Sequence, residues 1–411
     1  MINNANSKPS ATRPVLPTQP FGIFRKELIM ELDLNKLREE INETDEEIVA
    51  LFRKRMGIAA SVAEYKREHG LPVLDAARER ALLCRVSDMA GEEFDGYART
   101  LYHTMLDVSR AYQHTRLVGS SEIYNGIQKA LESTARTFPS RAKVACQGVE
   151  GAYSQIAAEK LFELPSISYC PTFDSVFSAI ESGECRYGVL PIENSTAGSV
   201  KKVYELMINH KFHIVRSLRL KIDHCLLAGR GSRLSDIKEI VSHEQAINQS
   251  ESFLKSLGDV KITVVANTAI AAKLVAESGR NDLAALSSRF CADLYGLDTL
   301  AGAVQDMGNN YTRFICISKE PEIYPGADKF SIMLVTHNKP GALYHVLSCF
   351  NSLGVNMTKL ESTPIPERDF ESMFYFDFTL SVYSDQLKPL LCELEARGEK
   401  LRLLGAYNEI V

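Results

Sequence analysis

From Glu31 to Glu68 the chain runs without a proline, and Leu34, Leu37, Ile41, Ile48, Leu51, Ile58 and Val62 recur at helical spacing. A single helix over that span would be about 57 Å long at 1.5 Å per residue. That exceeds the diameter of a domain of roughly 90 residues. Such a helix cannot bury its apolar stripe within its own chain, so the pattern predicts pairing with a second copy. A second helix is expected from near Asp75, which can cap it, and a third from about Asp95 to Arg116.

Charges interrupt the stripe. In heptads that start at Leu34, the same position holds Ile41, Ile48 and Val62, but Arg55 stands where the next apolar residue belongs. A guanidinium on an apolar seam is costly unless an anion meets it. Arg38 and Lys66 fall beside the seam. Arg55 and Lys66 are eleven residues apart, a rotation of only about 20° around a helix. Arg38 is too far from Lys66 along one straight helix to share a small ligand with it, but it could do so across an antiparallel dimer. The ordinary alternative is that these cations snorkel to water. Asp75, Arg78 and Glu79 form an i, i+3, i+4 set that a capping acid and a local ion pair would explain. Ser109 and Gln113 lie one turn apart on the third helix.

Bulk properties narrow the classes. A length of 411 residues suggests two to four domains, and 45% apolar residues suit a soluble globular protein. The net charge is −5 with no basic stripe, which argues against nucleic acid. Apolar stretches fall far short of the ~20 residues of a membrane span. The nine cysteines show no C-x-x-C spacing, which argues against a disulfide framework or a zinc site and for the cytoplasm. They are expected as small buried side chains. Residues 1–29 are Pro-, Asn- and Ser-rich, lack a signal-peptide pattern and are expected to be disordered. Met30, just before the first periodic segment, could be the true start.

Three folded zones follow: an all-α region over 30–117, an α/β region over 143–319 and an α+β region over 329–411. Residues 118–142 read as a polar linker with one short helical piece. In the middle zone, strand-like runs (KVACQG, YGVLPI, ITVVAN, RFICIS) alternate with helical ones, which argues for a two-lobed α/β domain with substantial parallel sheet. The last zone reads strand, helix, strand, strand, helix, strand, the order of a ferredoxin-like fold.

The helical zone resembles the intertwined three-helix chorismate mutases, through LREEI with Arg38, FRKRM with Arg55, EYK with Lys66, LPVLDAARE with Asp75, Arg78 and Glu79, and SRAYQ with Ser109 and Gln113. The chemistry suits these residues, because chorismate is a dianion and its pericyclic rearrangement to prephenate needs no nucleophile, metal or cofactor. The site must hold a folded conformer and stabilise charge on the breaking ether oxygen. The resemblance implies that Arg38 of the partner copy, Arg55 and Arg78 grip carboxylates, that Lys66 and Gln113 donate to the ether oxygen, and that Glu79 meets the ring hydroxyl. Asp75 and Ser109 would support binding.

In the middle zone, a glycine turn enters a helix at QGVEGAYS, a start that could bind a carboxylate. GVLPIENSTAGSV places Glu193, Asn194 and Ser195 at the carboxyl end of a strand, where ligands gather in α/β sheets. SHEQAINQS carries Gln249, and NNYTRF carries Thr312, Arg313 and Phe314. Taken singly, such residues are usual in turns and strands. Together, in this order, they resemble prephenate dehydratase, although SHEQ has Glu244 where that family often has proline. The resemblance implies a catalytic hydroxyl at Thr312, a carboxylate-binding Arg313 and a pocket shaped by Phe314. Glu193, Asn194 and Gln249 would orient substrate, with Ser195 and Thr172 beside them. A positioned general acid is worth ~10²–10⁴-fold in such a dehydration.

THNKPGALYHVLSCFNSLGVNMTKLESTP resembles phenylalanine-binding ACT domains, with Gly341, Ala342 and Leu343 opening a helix and Glu361 and Ser362 in an E-S-x-P element. Thr363 stands where such members commonly have arginine. The whole implies a bifunctional enzyme of phenylalanine biosynthesis that acts on chorismate and prephenate, takes L-phenylalanine as effector, and forms a homodimer or larger homo-oligomer. An arogenate-preferring dehydratase, a chain with one dead site, and a non-catalytic amino-acid sensor are the alternatives. A dehydrogenase partner activity is disfavoured by the lack of a G-x-G-x-x-G after a strand.

Overall fold

The computed structural model describes residues 33–116, 121–336, 341–365, 372–398 and 400–411. The N-terminal tail expected to be disordered, Met30 included, lies outside the described residues. The chain divides at Val62 and Ala63 into two compact units, and each is taken by itself.

Helix α1 (Leu34–Glu68) carries that boundary. It starts where Asp33 accepts from the Asn35 amide at 2.9 Å. In the first unit the expected stripe is an open surface, with Leu34, Ile41, Ile48 and Ile58 each more than half exposed. In the second unit, α2 (Ala76–Arg116) starts at Asp75, whose Oδ1 accepts from the Arg78 amide at 3.0 Å. Gly91 at φ 71° breaks α2 into two helical pieces. The expected second and third helices are therefore both present, divided at Gly91 rather than near Asp95.

Helix α3 (Glu122–Ser133) is the one short helical piece expected within 118–142. Ser121 caps it, accepting from the Tyr124 amide at 2.9 Å. Its Ile127 and Ala130 are buried in one cluster with Phe330, Phe376 and Leu394. Its apolar face therefore completes the core of the C-terminal zone instead of crossing solvent.

The middle zone opens with β1 (Arg141–Gln147), α4 (Tyr153–Leu161), β2 (Leu164–Cys170), α5 (Phe173–Glu181), β3 (Tyr187–Asn194), β4 (Gly198–Ser199), α6 (Lys201–Asn209) and β5 (His213–Lys221). The chain then builds a second lobe: β6 (Cys225–Ala228), β7 (Glu239–Ser242), the short α7 (Glu244–Asn248) and α8 (Glu251–Ser256), β8 (Lys261–Val264), α9 (Thr268–Ser278), β9 (Leu283–Ser287), α10 (Arg289–Tyr295) and β10 (Asp298–Ala301). It returns to the first lobe in β11 (Tyr311–Ser318).

The C-terminal zone is β12 (Lys329–Val335), α11 (Ala342–Ser352), β13 (Asn356–Pro364), β14 (Ser372–Thr379), α12 (Leu387–Arg397) and β15 (Lys400–Tyr407). Its four strands form an antiparallel sheet in the order β13-β14-β12-β15, with the strand–helix alternation expected. Residues of β16 (Glu409–Ile410) then pair in parallel with β5.

The first-lobe sheet runs β16-β5-β11-β3-β1-β2, parallel through β3, β1 and β2 and antiparallel around β11. The second-lobe sheet runs β10-β6-β9-β7-β8, parallel only through β9, β7 and β8. The sheets are thus mixed, because β11 and β6 carry the chain between lobes in opposite directions. The C-terminal sheet lies close against β5: a Cβ on Gly405 would stand 2.1 Å from the Ile214 carbonyl oxygen. Among the described residues no helix is long and apolar enough to cross a membrane.

Candidate active sites

A cleft of about 450 Å³ opens between the two lobes, lined by Asn194, Thr312 and Phe314 from one side and His243, Gln249 and Asn267 from the other. Its floor exists because β3 and β11 are antiparallel neighbours with Asn194 opposite Thr312. Asn194 Nδ2 donates to Thr312 Oγ1 at 3.0 Å and to Asn310 Oδ1 at 2.8 Å. Asn194 Oδ1 accepts from the Thr196 amide at 3.0 Å and the Ala197 amide at 2.9 Å, which fixes which end of the amide faces Thr312. Because Thr312 Oγ1 already accepts, its own proton is left to point at a ligand.

Gln249 bridges the lobes. Its Oε1 accepts from Asn310 Nδ2 at 2.9 Å, and its Nε2 donates to Thr196 Oγ1 at 2.6 Å. His224 Nε2 lies 3.1 Å from the same Oε1. Burial, more than any neighbour, lowers the His224 pKa, with the Gln249 bond pulling the other way. The imidazole is therefore neutral at pH 7. Its Nε2 carries the proton given to Gln249, and its buried Nδ1 has no partner among the described residues. His224 has no local motif around it, so only the fold reveals it. Two helix N-termini also reach the cleft, α4 through Ala152, Tyr153 and Ser154 and α9 through Asn267 and Thr268.

Several expected members sit elsewhere. Side chains alternate along a strand, so Glu193 and Arg313 face away from Asn194 and Thr312. They line, with Ser195 and Lys359, a separate cavity of about 390 Å³ on the other face. There Arg313 is buried, with its Nη1 2.6 Å from Asp377 and 3.6 Å from Glu193. The expectation of one pocket shared by Thr312, Arg313, Glu193 and Ser195 is corrected by that alternation. Ser195 ties the loop to the start of β11, donating to the Asn309 carbonyl at 2.8 Å. Thr172 is an exposed helix cap for α5, accepting from the Ser175 amide at 3.1 Å, and its neighbour Phe173 lines the cleft instead.

In the helical region, the first unit holds Arg38, which is exposed, and Arg55, half-buried, with a buried guanidinium nitrogen that has no hydrogen-bond partner among the described residues. In the second unit, Lys66 Nζ donates to the Val73 carbonyl at 2.6 Å, closing the turn after α1. Gln113 and Ser109 are buried and bonded to each other at 3.3 Å, with Gln113 Oε1 unpartnered among the described residues. Glu79 pairs with Arg110, a residue that no local pattern singles out. Asp75 and Arg78 are exposed, and the observed contact of Asp75 is its helix cap.

In the C-terminal zone, Gly341 holds φ 83° immediately before Ala342 and Leu343 at the head of α11. Glu361 accepts from Ser199, and Lys359 Nζ lies 3.3 Å from Glu361 and 3.1 Å from Glu193. Ser362, next along β13, faces the other side of the sheet.

A chorismate mutase type II family model matches residues 37–114 and a prephenate dehydratase model matches residues 144–322. A bifunctional chorismate mutase/prephenate dehydratase of Escherichia coli K12 is 31% identical over 387 residues, 92% of this chain and 96% of its own. The chloroplastic arogenate dehydratase/prephenate dehydratase 2 of Arabidopsis thaliana is 39% identical over 280 residues, 65% of this chain and 73% of that protein. A crystal structure of prephenate dehydratase from Arthrobacter aurescens in complex with L-Phe superposes with a TM-score of 0.59 at 26% identity, covering 65% of this chain and 90% of that one.

Proposed function

The chain belongs to the bifunctional chorismate mutase/prephenate dehydratase family, and on that premise we propose a division of labour among its residues. The helical part rearranges chorismate to prephenate. The α/β part converts prephenate to phenylpyruvate, carbon dioxide and water, on the way to L-phenylalanine. We divide the chain into a mutase at 30–117, a connecting segment at 118–142, a dehydratase at 143–319 and a ferredoxin-like ACT domain at 329–411.

The observation that carries the dehydratase assignment is the Asn194–Thr312 hydrogen bond in the interlobe cleft. Thr312 directs its proton at the departing ring hydroxyl, and Phe314 packs against the ring. Prephenate carries two carboxylates, and the α4 and α9 N-termini offer two sets of unpaired backbone N–H groups for them. Gln249 and His224 close the cleft behind the substrate. Glu193 and Arg313 act at the junction with the ACT domain rather than on the substrate.

In the mutase, Arg55, Arg78 and the partner copy's Arg38 hold the carboxylates, Lys66 and Gln113 donate to the ether oxygen, Glu79 takes the ring hydroxyl, and Asp75 and Ser109 support the site. The open apolar stripe of α1 supports a homodimer through that helix. L-Phenylalanine binds the ACT domain through Gly341, Ala342, Leu343, Glu361 and Ser362. The line from Glu361 through Lys359 to Glu193 gives its inhibition a route to the dehydratase.

Absorbance assays on the purified chain test this directly: chorismate should be lost and phenylpyruvate formed, and L-phenylalanine should slow the second step. Turnover of neither substrate, with phenylalanine bound, would mark a sensor instead. The Arabidopsis relative's name makes arogenate a second candidate substrate, and competition between prephenate and arogenate decides which is preferred.

A further inference from the structure

One buried cation in the mutase is surrounded by acids from three parts of the sequence. Arg110, 6% exposed, contacts Glu79 and Asp107, and its Nε lies 3.8 Å from Glu393 Oε2. Asp107 and Glu393 are at least as buried. Glu393 is not a mutase residue: it stands on α12 of the ACT domain. A second contact lies one helical stretch away, where the His103 ring of α2 meets the His345 ring of α11 at 5.4 Å. His345 in turn lies over Gly341, with its Nε2 3.5 Å from where a Cβ there would stand. The third mutase helix therefore rests on both ACT helices through polar contacts.

Guanidinium geometry explains what this arrangement does. A planar fork fixes the direction of the carboxylates it holds, whereas an ammonium holds them only by charge. Desolvated acids stay in place only while their cation does. Glu79, half-buried, is the member of the cluster that is open to solvent, so its position is set from behind by Arg110.

We propose that Arg110 is a positioning residue of the mutase, held by Asp107 and by Glu393 of the ACT domain, and that it fixes the Glu79 carboxylate for the ring hydroxyl of chorismate. The proposal rests on the reading of Glu79 as a substrate-binding group. It makes the mutase depend on the docking of α12, so a change in the ACT domain reaches the mutase through one arginine.

The test uses the full chain carrying Arg110→Lys, Glu393→Gln, Glu79→Gln, and each of the first two combined with Glu79→Gln. Dehydratase rate and thermal unfolding serve as controls for folding. Arg110→Lys and Glu393→Gln should each lower mutase kcat/KM on the order of tenfold, a usual size for coupling within one network, and leave the dehydratase rate unchanged. In the Glu79→Gln background neither should lower it further, because the group they position is gone. A merely structural role would give losses that add in the double variants. Additive losses, or single variants within twofold of the parent while Glu79→Gln is impaired, would overturn the proposal. Full mutase activity in Glu79→Gln would instead overturn the reading of Glu79 on which it rests.

Discussion

The two proposed active sites are built in different ways. In the interlobe cleft, Asn194 bonds Thr312 within the one chain, and Asn194, Asn310, Gln249 and His224 Nε2 are linked by hydrogen bonds to one another. On helix α1, five apolar residues of the stripe lie more than half exposed, and Arg55 keeps a buried nitrogen without a partner among the described residues. A site made where a chain crosses twice between lobes can be complete in one copy. A site made on a helix longer than its own domain leaves both surface and charge to be met by something else.

That contrast can be broken by experiment. Thr312→Ala should cost the dehydratase about 10²–10⁴-fold, the worth of a positioned proton donor, and leave the mutase rate unchanged. Arg55→Ala should do the reverse, lowering mutase kcat/KM by about 10²–10³-fold, as for loss of one preorganised donor. Loss of both activities in either variant, with the protein folded, would show that the sites are not separate. Subunit mixing sharpens the point further. Arg38→Ala and Lys66→Ala chains should each be inactive as mutases, but unfolding and refolding them together should restore roughly a quarter of the activity, because half of random dimers then carry one intact site. No recovery would put Arg38 in the same copy as Lys66. The dehydratase should show no such complementation. Smallest is Gly405→Ala, where the added methyl meets the Ile214 carbonyl. Overpacking of this kind costs about 1–3 kcal/mol, read as a lower unfolding temperature with the mutase kinetics retained.

Much of this architecture is legible in the amino-acid order alone. The period of α1, its interruption by Arg55, the strand–helix order of the last zone and the seating of Asn194 and Thr312 at strand ends follow from local patterns. The cysteines also behave as read, eight of the nine being buried. What escapes a local reading is set by distance along the chain. His224 gains its place from Gln249, 25 residues on, and Arg110 from Glu79 and Glu393. Helix α3 looks like a connector because its burial depends on strands some 200 residues later. The separation of Arg313 from Thr312 is a different case. Strand alternation predicts it, but a family motif read as one string hides that neighbours in sequence face opposite ways.

Residues 409–410 have a practical bearing. They add a strand to the edge of the dehydratase sheet, Glu409 is 2.7 Å from Arg219 and 2.6 Å from Lys329, and Val411 lines the same cavity as Arg313 and Lys359. A purification handle appended after Val411 would crowd that seam and bring its own charges into it. Kinetic constants from a C-terminally tagged preparation would describe a perturbed joint between β5 and the C-terminal sheet.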